Sequence, residues 1–370
     1  MNLKTLAQNA RRLRTGKGLS QAALAGLAGL SLPAIKNLEG AKSQPRMNTV
    51  EAIARALDVK LEELFLPVRE LKTVRFRSSK RMQNRENILA SVSRWMDDFN
   101  FLEQILDDHI RFQFSGMRGW GLRSNAIAVA GKCRSELGLG PKEPIHDICG
   151  LLEHAGVKVY PLSSASEDFF GLSVAQEDGG PAVVVNNWER ISVERRIFSA
   201  VHELGHLVLH RTAYDVTQVA ENRTEEQEAD LFAGHFLMPD EGFRSEWADG
   251  AGLFWLDRVF KVKRIFHVSY KTVLKRLIEY GDTDDGIWRT FNAAYARHFR
   301  RRLSFKEEPM GISSTEPFSL QKFDFYEDRY RRLARKAVEE GRISISRGAE
   351  ILRISVNEMQ DLLNDWGSAS

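Results

Sequence analysis

Residues 201–210 read VHELGHLVLH and have the apolar spacing of an α-helix. His202 and His206 are four positions apart, so on a helix both imidazoles project from one face, about 5–6 Å apart. Two imidazoles at that spacing can bind one zinc ion (Zn²⁺), each at about 2.0–2.1 Å. Glu203 follows His202 directly and lies where a carboxylate can take a proton from a water molecule beside the metal. The stretch therefore predicts that His202 and His206 are metal ligands and that Glu203 is the catalytic base; the alternative is a pair of surface histidines.

A catalytic zinc site needs a third protein ligand and keeps one position open. A histidine six residues after His206 is one solution, but residue 212 is threonine, so the sequence excludes it. The other solution is a carboxylate from a later helix. Residues 225–230, EEQEAD, open an apolar-faced helix and supply the candidates Glu225, Glu226 and Glu228. His210 lies one turn after His206, and because a further ligand would close the site, we expect a structural role for it.

HELGHLVLH, followed about twenty residues later by EQEADLFAGHFLMP, resembles the ImmA/IrrE family of zinc metallopeptidases. This family groups with the gluzincins, which pair HExxH with a glutamate four residues before an Asn or Asp. That pattern falls on Glu226 and Asp230, so the resemblance implies that Glu226 is the third ligand and that Asp230 holds a ligand imidazole. It also implies a zinc metalloendopeptidase with an α+β gluzincin-like fold, whose protein substrate is a repressor or an antitoxin.

Residues 1–67 combine positive charge with the pattern of a small helical unit. They contain ten Lys and Arg and five Asp and Glu, a net charge of +5. Helical spacing, with Ser20 and Ser31 as helix N-caps and glycines between the apolar runs, predicts five short helices with a turn between the second and third. This is the helix-turn-helix arrangement, and its charge suits a polyanionic partner. Charge alone is equally compatible with a solvated surface.

GLSQAALA at residues 18–25, followed by a helix from Ser31 to Gly40, resembles the Cro/C1-type (XRE family) repressor helix-turn-helix. The resemblance implies that the glutamine opening the second helix binds a DNA phosphate and that the third helix enters the major groove. Leu32 and Pro33 stand where polar side chains that hydrogen-bond to base edges are expected. They can contact a thymine methyl but cannot make bidentate hydrogen bonds to bases. We therefore predict double-stranded DNA as a partner, bound by a homodimer; a unit kept for protein contact is the alternative. The predicted DNA contacts are Gln21, Ser31, Leu32, Pro33, Lys36, Asn37 and Arg46.

The remaining pattern predicts a multidomain chain: an all-α helix-turn-helix N-terminal domain, an α+β gluzincin-like zinc peptidase domain and a helical C-terminal region. Residues 68–85 are basic and predicted as a weakly structured linker, followed by an amphipathic helix over 86–112 that packs in a core or between domains. The predicted domains are 1–67, 68–120 (linker and amphipathic helix), 121–281 (peptidase) and 282–370. Strands are predicted at 157–162, 170–175 and 182–186, and further helices near 123–137, 145–155, 189–210, 225–237, 252–280 and 318–366.

Two patterns leave alternatives open. The strand AVVVN (182–186) is either the edge on which an extended substrate pairs or an ordinary buried strand. Residues 266–281 and 343–363 each look like helix-turn-helix fragments, which are either packing modules or second DNA readers. We interpret both as packing modules, and in the second fragment the last helix is acidic rather than basic.

Composition sets the broad class of protein. Apolar residues make up 43% and charged residues 28% of the chain, as in ordinary soluble domains, and no apolar run reaches the ~20 residues of a membrane span. Two cysteines cannot form a disulfide framework, so we expect a cytoplasmic protein. The leading hypothesis is a transcription regulator fused to a zinc endopeptidase. The rivals are a non-proteolytic transcription factor that uses the zinc fold as a ligand or stress sensor, and an antitoxin-like binding partner.

Overall fold

The computed structural model describes residues 2–67, 69–76, 85–116, 126–166, 169–211, 214, 222–303 and 316–367. The chain divides into two compact units. The small unit comprises Met1–Leu71 and Lys80–Asp98, and the large unit comprises Lys72–Ser79 and Phe99–Ser370. The predicted domain boundaries at residues 67, 120 and 281 stay predictions. The middle of the predicted linker (77–84) and the first residues of the helix predicted near 123 lie outside the described residues.

The small unit is helical, as predicted. It contains α1 (Leu3–Gly16), α2 (Gln21–Ala28), α3 (Leu32–Glu39), α4 (Met47–Ala56) and a 3-10 turn at Leu61–Leu64. Ser20 and Ser31 accept hydrogen bonds from backbone N–H groups in the first turns of α2 and α3, and Gly29 ends α2 with a φ of 65°, which confirms these predicted caps. The fourth helix starts at Met47, after Arg46 in extended conformation. The core of the unit contains Leu6, Ala10, Leu24, Ile35, Leu38, Val50 and Ile53.

A four-stranded mixed sheet lies in the large unit, in the order β1-β3-β4-β2. Its strands are β1 (Val74–Phe76), β2 (Lys158–Leu162), β3 (Gly171–Val174) and β4 (Ala182–Asn186), so the three predicted strands are confirmed. Strand β4 pairs antiparallel with β3 and parallel with β2. A substrate cannot pair with AVVVN, because both edges of this strand already carry a neighbour. AVVVN is therefore an ordinary buried strand and not an edge for substrate pairing.

Strand β1 lies within the stretch that the sequence pattern predicts as weakly structured, and there the prediction is wrong. Val74 is buried in the large unit, and β1 pairs antiparallel with β3. The carboxylate of Asp178 accepts hydrogen bonds of 2.6 Å from the backbone N–H groups of both Lys72 and Thr73. The buried side chain of Val74 and the distant carboxylate of Asp178 thus help to hold a short strand among basic residues, and the local pattern reveals neither.

The helices of the large unit follow the predicted order with shifted ends. The first helix, α5, spans Arg85–Leu106 and crosses from the small unit into the large one; it ends earlier than predicted because Asp107 adopts a φ of 52°. The stretch predicted as helical over 252–280 is two helices, separated where His267 has a φ of 53° and Ser269 caps the second. The others are α6 (Ala126–Glu136), α7 (Ile148–His154), α8 (Val193–Leu209), α9 (Arg223–Leu237), α10 (Asp240–Asp249), α11 (Trp255–Phe266), α12 (Tyr270–Glu279), α13 (Ile287–Phe299), α14 (Arg329–Glu339), α15 (Ile345–Leu352) and α16 (Val356–Gly367).

Two of these helices, α10 and α13, have no counterpart in the sequence prediction. The core of the large unit joins the inner face of the sheet to α8, α9, α11 and α12 through side chains such as Val183, Leu204, Phe232 and Phe266. None of the helices in the described part of the chain combines the length and apolar character needed to cross a membrane.

Candidate metal centre and DNA-binding surface

The metal centre is built where α8 and α9 pack closely. Ser192 caps α8 and Asn222 caps α9 through side-chain hydrogen bonds to backbone N–H groups in their first turns. Gly205 faces α9, and a Cβ at this position would lie 3.1 Å from Phe232 Cδ1 and 3.4 Å from Ala229 Cα. The glycine of HELGH therefore lets the two helices approach closely enough for the first turn of α9 to reach the histidines of α8.

The structure brings the three predicted ligands together. His202 Nε2 and His206 Nε2 are 3.0 Å apart. Glu226 places Oε2 3.2 Å from His202 Nε2 and Oε1 3.3 Å from His206 Nε2. Both imidazoles are buried, and the three side chains form a group of potential metal ligands. Their convergence is the geometry that the sequence pattern anticipates for a metal centre.

Hydrogen bonds on the far side of each ring indicate which nitrogen carries the proton. His202 Nδ1 is 2.8 Å from Asp230 Oδ1, so it donates to the carboxylate and leaves a lone pair on Nε2. His210 Nε2 is 2.8 Å from Glu228 Oε2, and His210 Nδ1 is 2.9 Å from His206 Nδ1. Because His210 must donate to the carboxylate, its other nitrogen accepts from His206, whose Nε2 then also carries a lone pair.

These donors fit a zinc ion. Two lone pairs and a carboxylate face one another at 3.0–3.3 Å, an arrangement that is repulsive unless a cation lies among them. Ligands about 2.0–2.1 Å from a tetrahedral centre stand about 3.3–3.4 Å from each other, close to the observed separations. Burial lowers the pKa of the His206 imidazole well below its usual range, which keeps the ring neutral.

Glu203 lies on the sheet side of α8. Its Oε2 accepts a 2.7 Å hydrogen bond from Ser173 Oγ on β3, and Ser173 Oγ accepts one of 2.9 Å from the Tyr214 hydroxyl. Burial raises the pKa of Tyr214, so this phenol remains a neutral donor. A Cβ at Gly171 would lie 3.3 Å from Glu203 Oε1, so this glycine leaves room for the carboxylate. The predicted base is thus held in one position by a serine and a tyrosine.

Arg75 of β1 is a residue of the centre that the sequence pattern does not identify. Its guanidinium forms ion pairs with Glu225 and, at 3.1 Å, with Glu226, and its side chain is only 11% exposed. The β-branched and aromatic neighbours in TVRF (73–76) are the only local sign of a strand there. Ser173 could have been noticed as the polar residue within an apolar strand. Glu228, one of the three candidate ligands, instead contacts His210.

The remaining histidines lie elsewhere. His235 contacts Asp240 at 3.0 Å and the guanidinium of Arg276. His146 and His267 contact each other at 3.4 Å between ring nitrogens.

In the small unit, Glu39 joins the first three helices. Its carboxylate accepts hydrogen bonds from Arg14 of α1 at 2.6 and 2.9 Å, and from the Gln21 amide of α2 at 2.8 Å. This network fixes α3 relative to the residue predicted to bind a phosphate. Pro33, Lys36, Asn37 and Arg46 are exposed, whereas Leu32 is partly buried and packs against the core of the unit. Ser31 caps α3, so one predicted contact also has a structural role.

The comparisons with known families agree with this architecture. Residues 152–278 match the family model of the IrrE N-terminal-like domain, which describes a family of peptidases. Residues 5–65 match a helix-turn-helix domain. The chain joins a helix-turn-helix domain to an IrrE N-terminal-like domain. The match to the IrrE N-terminal-like domain covers β2 to β4, α8 and α9, and so contains His202, His206 and Glu226, while Arg75 and β1 lie outside it. No curated protein sequence matches the chain.

The other two helix-turn-helix-like fragments form helix pairs. α11 and α12 contribute Val262, Phe266, Val273 and Leu277 to the core of the large unit. α15 and α16 pack on each other, and α16 carries Glu358, Asp361 and Asp365. This packing agrees with the interpretation of both fragments as packing modules.

Proposed function

We propose that this protein is a DNA-binding transcription regulator with a zinc-dependent endopeptidase domain of the gluzincin type. The observation that carries the proposal is the set of hydrogen bonds that directs the Nε2 lone pairs of His202 and His206 toward Glu226. A centre that bound metal only for stability would not need a buried carboxylate beside the ligands. Glu203, held by Ser173, is such a carboxylate.

Each residue has a distinct role in this proposal. His202, His206 and Glu226 would hold the zinc ion, which would supply a Lewis acid for the peptide carbonyl. Glu203 takes the proton of the attacking water and passes it to the leaving amine. Asp230 keeps His202 in the tautomer that presents Nε2, and Glu228 does the same for His206 through His210. Ser173 and Tyr214 hold the Glu203 carboxylate in place.

The proposed substrate is a repressor or antitoxin protein, and the small unit would bring the peptidase to DNA. The resemblance of residues 202–210 and 226–239 to ImmA/IrrE metallopeptidases supports the first part. The match of residues 5–65 to a helix-turn-helix domain supports the second.

Purified protein is expected to cleave a helix-turn-helix repressor encoded beside it, with loss of cleavage after chelation and recovery with added zinc. The reason is that removing the ion removes the polarising group while leaving the fold of the sheet and helices. The measurement is the appearance of defined fragments by mass spectrometry. Fragments that persist unchanged in the chelated sample would contradict a metallopeptidase and point to a contaminating protease.

The small unit is expected to bind duplex DNA from the protein's own upstream region, on half-sites one helical turn apart, with affinity that falls steeply as salt rises. The double change Gln21→Ala with Lys36→Ala should weaken binding and lower the slope of log K against log salt by about one, because a lysine–phosphate contact is lost. The matched control is Lys4→Ala with Gln8→Ala, the same chemical changes at exposed positions of α1. Gel-shift titrations at several salt concentrations test this, and equal affinities for the two double variants would refute the predicted contacts.

A further inference from the structure

Strand β3 has a second edge, and the chain's own β1 covers it. β4 pairs with one side of β3, and β1 pairs antiparallel with the other over Val74–Phe76. This short strand lies outside the matched IrrE N-terminal-like domain. It belongs to the large unit by its backbone contacts, although the residues before Lys72 and those from Lys80 to Asp98 belong to the small unit. The strand is therefore a segment of the connection that is inserted into the sheet.

The covered edge runs beside the metal centre. Arg75 is the register partner of Ser173, whose hydroxyl donates to Glu203, the proposed base. The Arg75 guanidinium forms ion pairs with Glu225 and with Glu226, one of the three converging ligands. A single residue of β1 thus pairs with the residue that holds the proposed base and contacts a proposed ligand directly.

Besides the ladder with β3 and the ion pairs of Arg75, further contacts of the described residues hold β1 in this position. Val74 is its buried apolar side chain, Asp178 accepts the backbone N–H groups of Lys72 and Thr73, and the Ala175 N–H donates to the Thr73 carbonyl at 3.0 Å. An edge strand of this length is held mainly by backbone hydrogen bonds that any extended peptide can make. The side-chain chemistry is specific at one position, where two carboxylates surround a guanidinium.

We propose that β1 is an internal ligand of a peptide-binding edge, occupying in cis the place of an extended substrate segment that carries Arg or Lys where Arg75 lies. This inference rests on the proposed peptidase function. An extended peptide that adds to β3 gains main-chain hydrogen bonds, while alternate side chains point toward the centre. A basic side chain opposite Ser173 gains charge-assisted hydrogen bonds to Glu225 and Glu226.

A tethered strand competes strongly with a free one. Because β1 is part of the same chain, its effective concentration at the edge exceeds that of a free peptide, so a peptide of moderate affinity cannot displace β1 at ordinary concentrations. Release of β1 would uncover the edge and free Glu226 from Arg75 in the same step. The peptidase is then restrained by its own connecting segment until that segment leaves the sheet.

The test uses the full-length zinc-loaded protein and a fluorescent peptide with the sequence of residues 71–77, LKTVRFR. Val74→Asp places a charge at a buried position and should release β1, and Asp178→Ala removes its backbone anchor. Faster hydrogen exchange of the Ala175 amide identifies the variant in which the edge has opened. In that variant the peptide should bind roughly tenfold or more tightly than to wild type, because the tethered competitor is gone. Lys72→Ala, an exposed basic residue of the same segment, is the control that should behave as wild type.

A second peptide, with alanine at the Arg75 position, should bind the opened variant at least about tenfold more weakly than LKTVRFR, because it loses the charge-assisted contacts. Equal binding of the two peptides, or no binding despite faster Ala175 exchange, would overturn the inference. Arg75→Ala provides an independent measurement: unchanged zinc content with faster peptide cleavage supports an internal ligand, whereas loss of zinc would mean that Arg75 only positions Glu226 and would overturn it. Peptide binding is measured in the Glu203→Gln background, in which the proposed base is absent and the peptide is not turned over, so failure of the proposed proteolysis is seen separately.

Discussion

Glu203→Gln is expected to retain zinc and to lose proteolysis. The amide has nearly the same size as the carboxylate and can still accept the hydrogen bond from Ser173, so the local packing survives. It cannot take a proton at neutral pH, and removal of a general base costs ~10²–10⁴-fold in rate. The measurement is zinc content together with the cleavage rate of the repressor substrate.

The control for this variant is Glu177→Gln, the same change in an exposed acid of the turn after β3, which should leave cleavage unaltered. The outcome also separates the two classes of function. A Glu203→Gln protein that cleared the repressor and regulated its promoter like wild type would reject the peptidase. The zinc fold would then serve as a sensor of a ligand or of stress.

Substitution of a proposed ligand side chain is expected to weaken zinc binding itself. His202→Ala and His206→Ala should each abolish zinc binding, since two remaining donors make a poor site, and Glu226→Gln should weaken it because a neutral amide is a poor zinc ligand. Asp230→Asn leaves all three donors in place but removes the carboxylate that orients His202, for which a loss of roughly 10–100-fold in affinity is typical. Elemental analysis and competition with a chromophoric chelator measure these affinities.

His154→Ala is the matched control, because this histidine is exposed on α7 and takes no part in the cluster. It should bind zinc as wild type does. A His206→Ala protein with full zinc content would place the metal elsewhere. In that case the convergence of the three side chains would have no role in metal binding.

The sequence predicts the parts of the centre that a single helix determines. His202, Glu203 and His206 follow from spacing on α8, and Ser20 and Ser31 follow from cap chemistry. Spacing alone does not identify Glu226 as the third ligand, because three neighbouring glutamates are equivalent by that criterion. Only the resemblance favoured one of them. In the structure each of the three has a separate contact: Glu225 with Arg75, Glu226 with both histidines and Glu228 with His210.

The contacts that sequence reasoning did not reach are those between distant segments. Arg75 and Glu225 are 150 positions apart in the chain, and Ser173 and Glu203 are 30 apart, so neither pair produces a local pattern. Strand β1 was missed for the same reason: a strand of three residues is too short for alternation to be recognised, and its pairing partner is remote. The interior position of β4 depends likewise on strand order.

Strand β1 also affects which fragments of this chain can be studied in isolation. A fragment chosen to match only the IrrE N-terminal-like domain, residues 152–278, would lack the strand and leave the N–H and C=O groups of the outer side of β3 without their partner. Bare sheet edges of that kind pair with whatever strand they meet, including the same edge of another copy. In the full chain β1 covers this edge, so we expect the 152–278 fragment to self-associate more readily than a chain that includes Val74–Phe76.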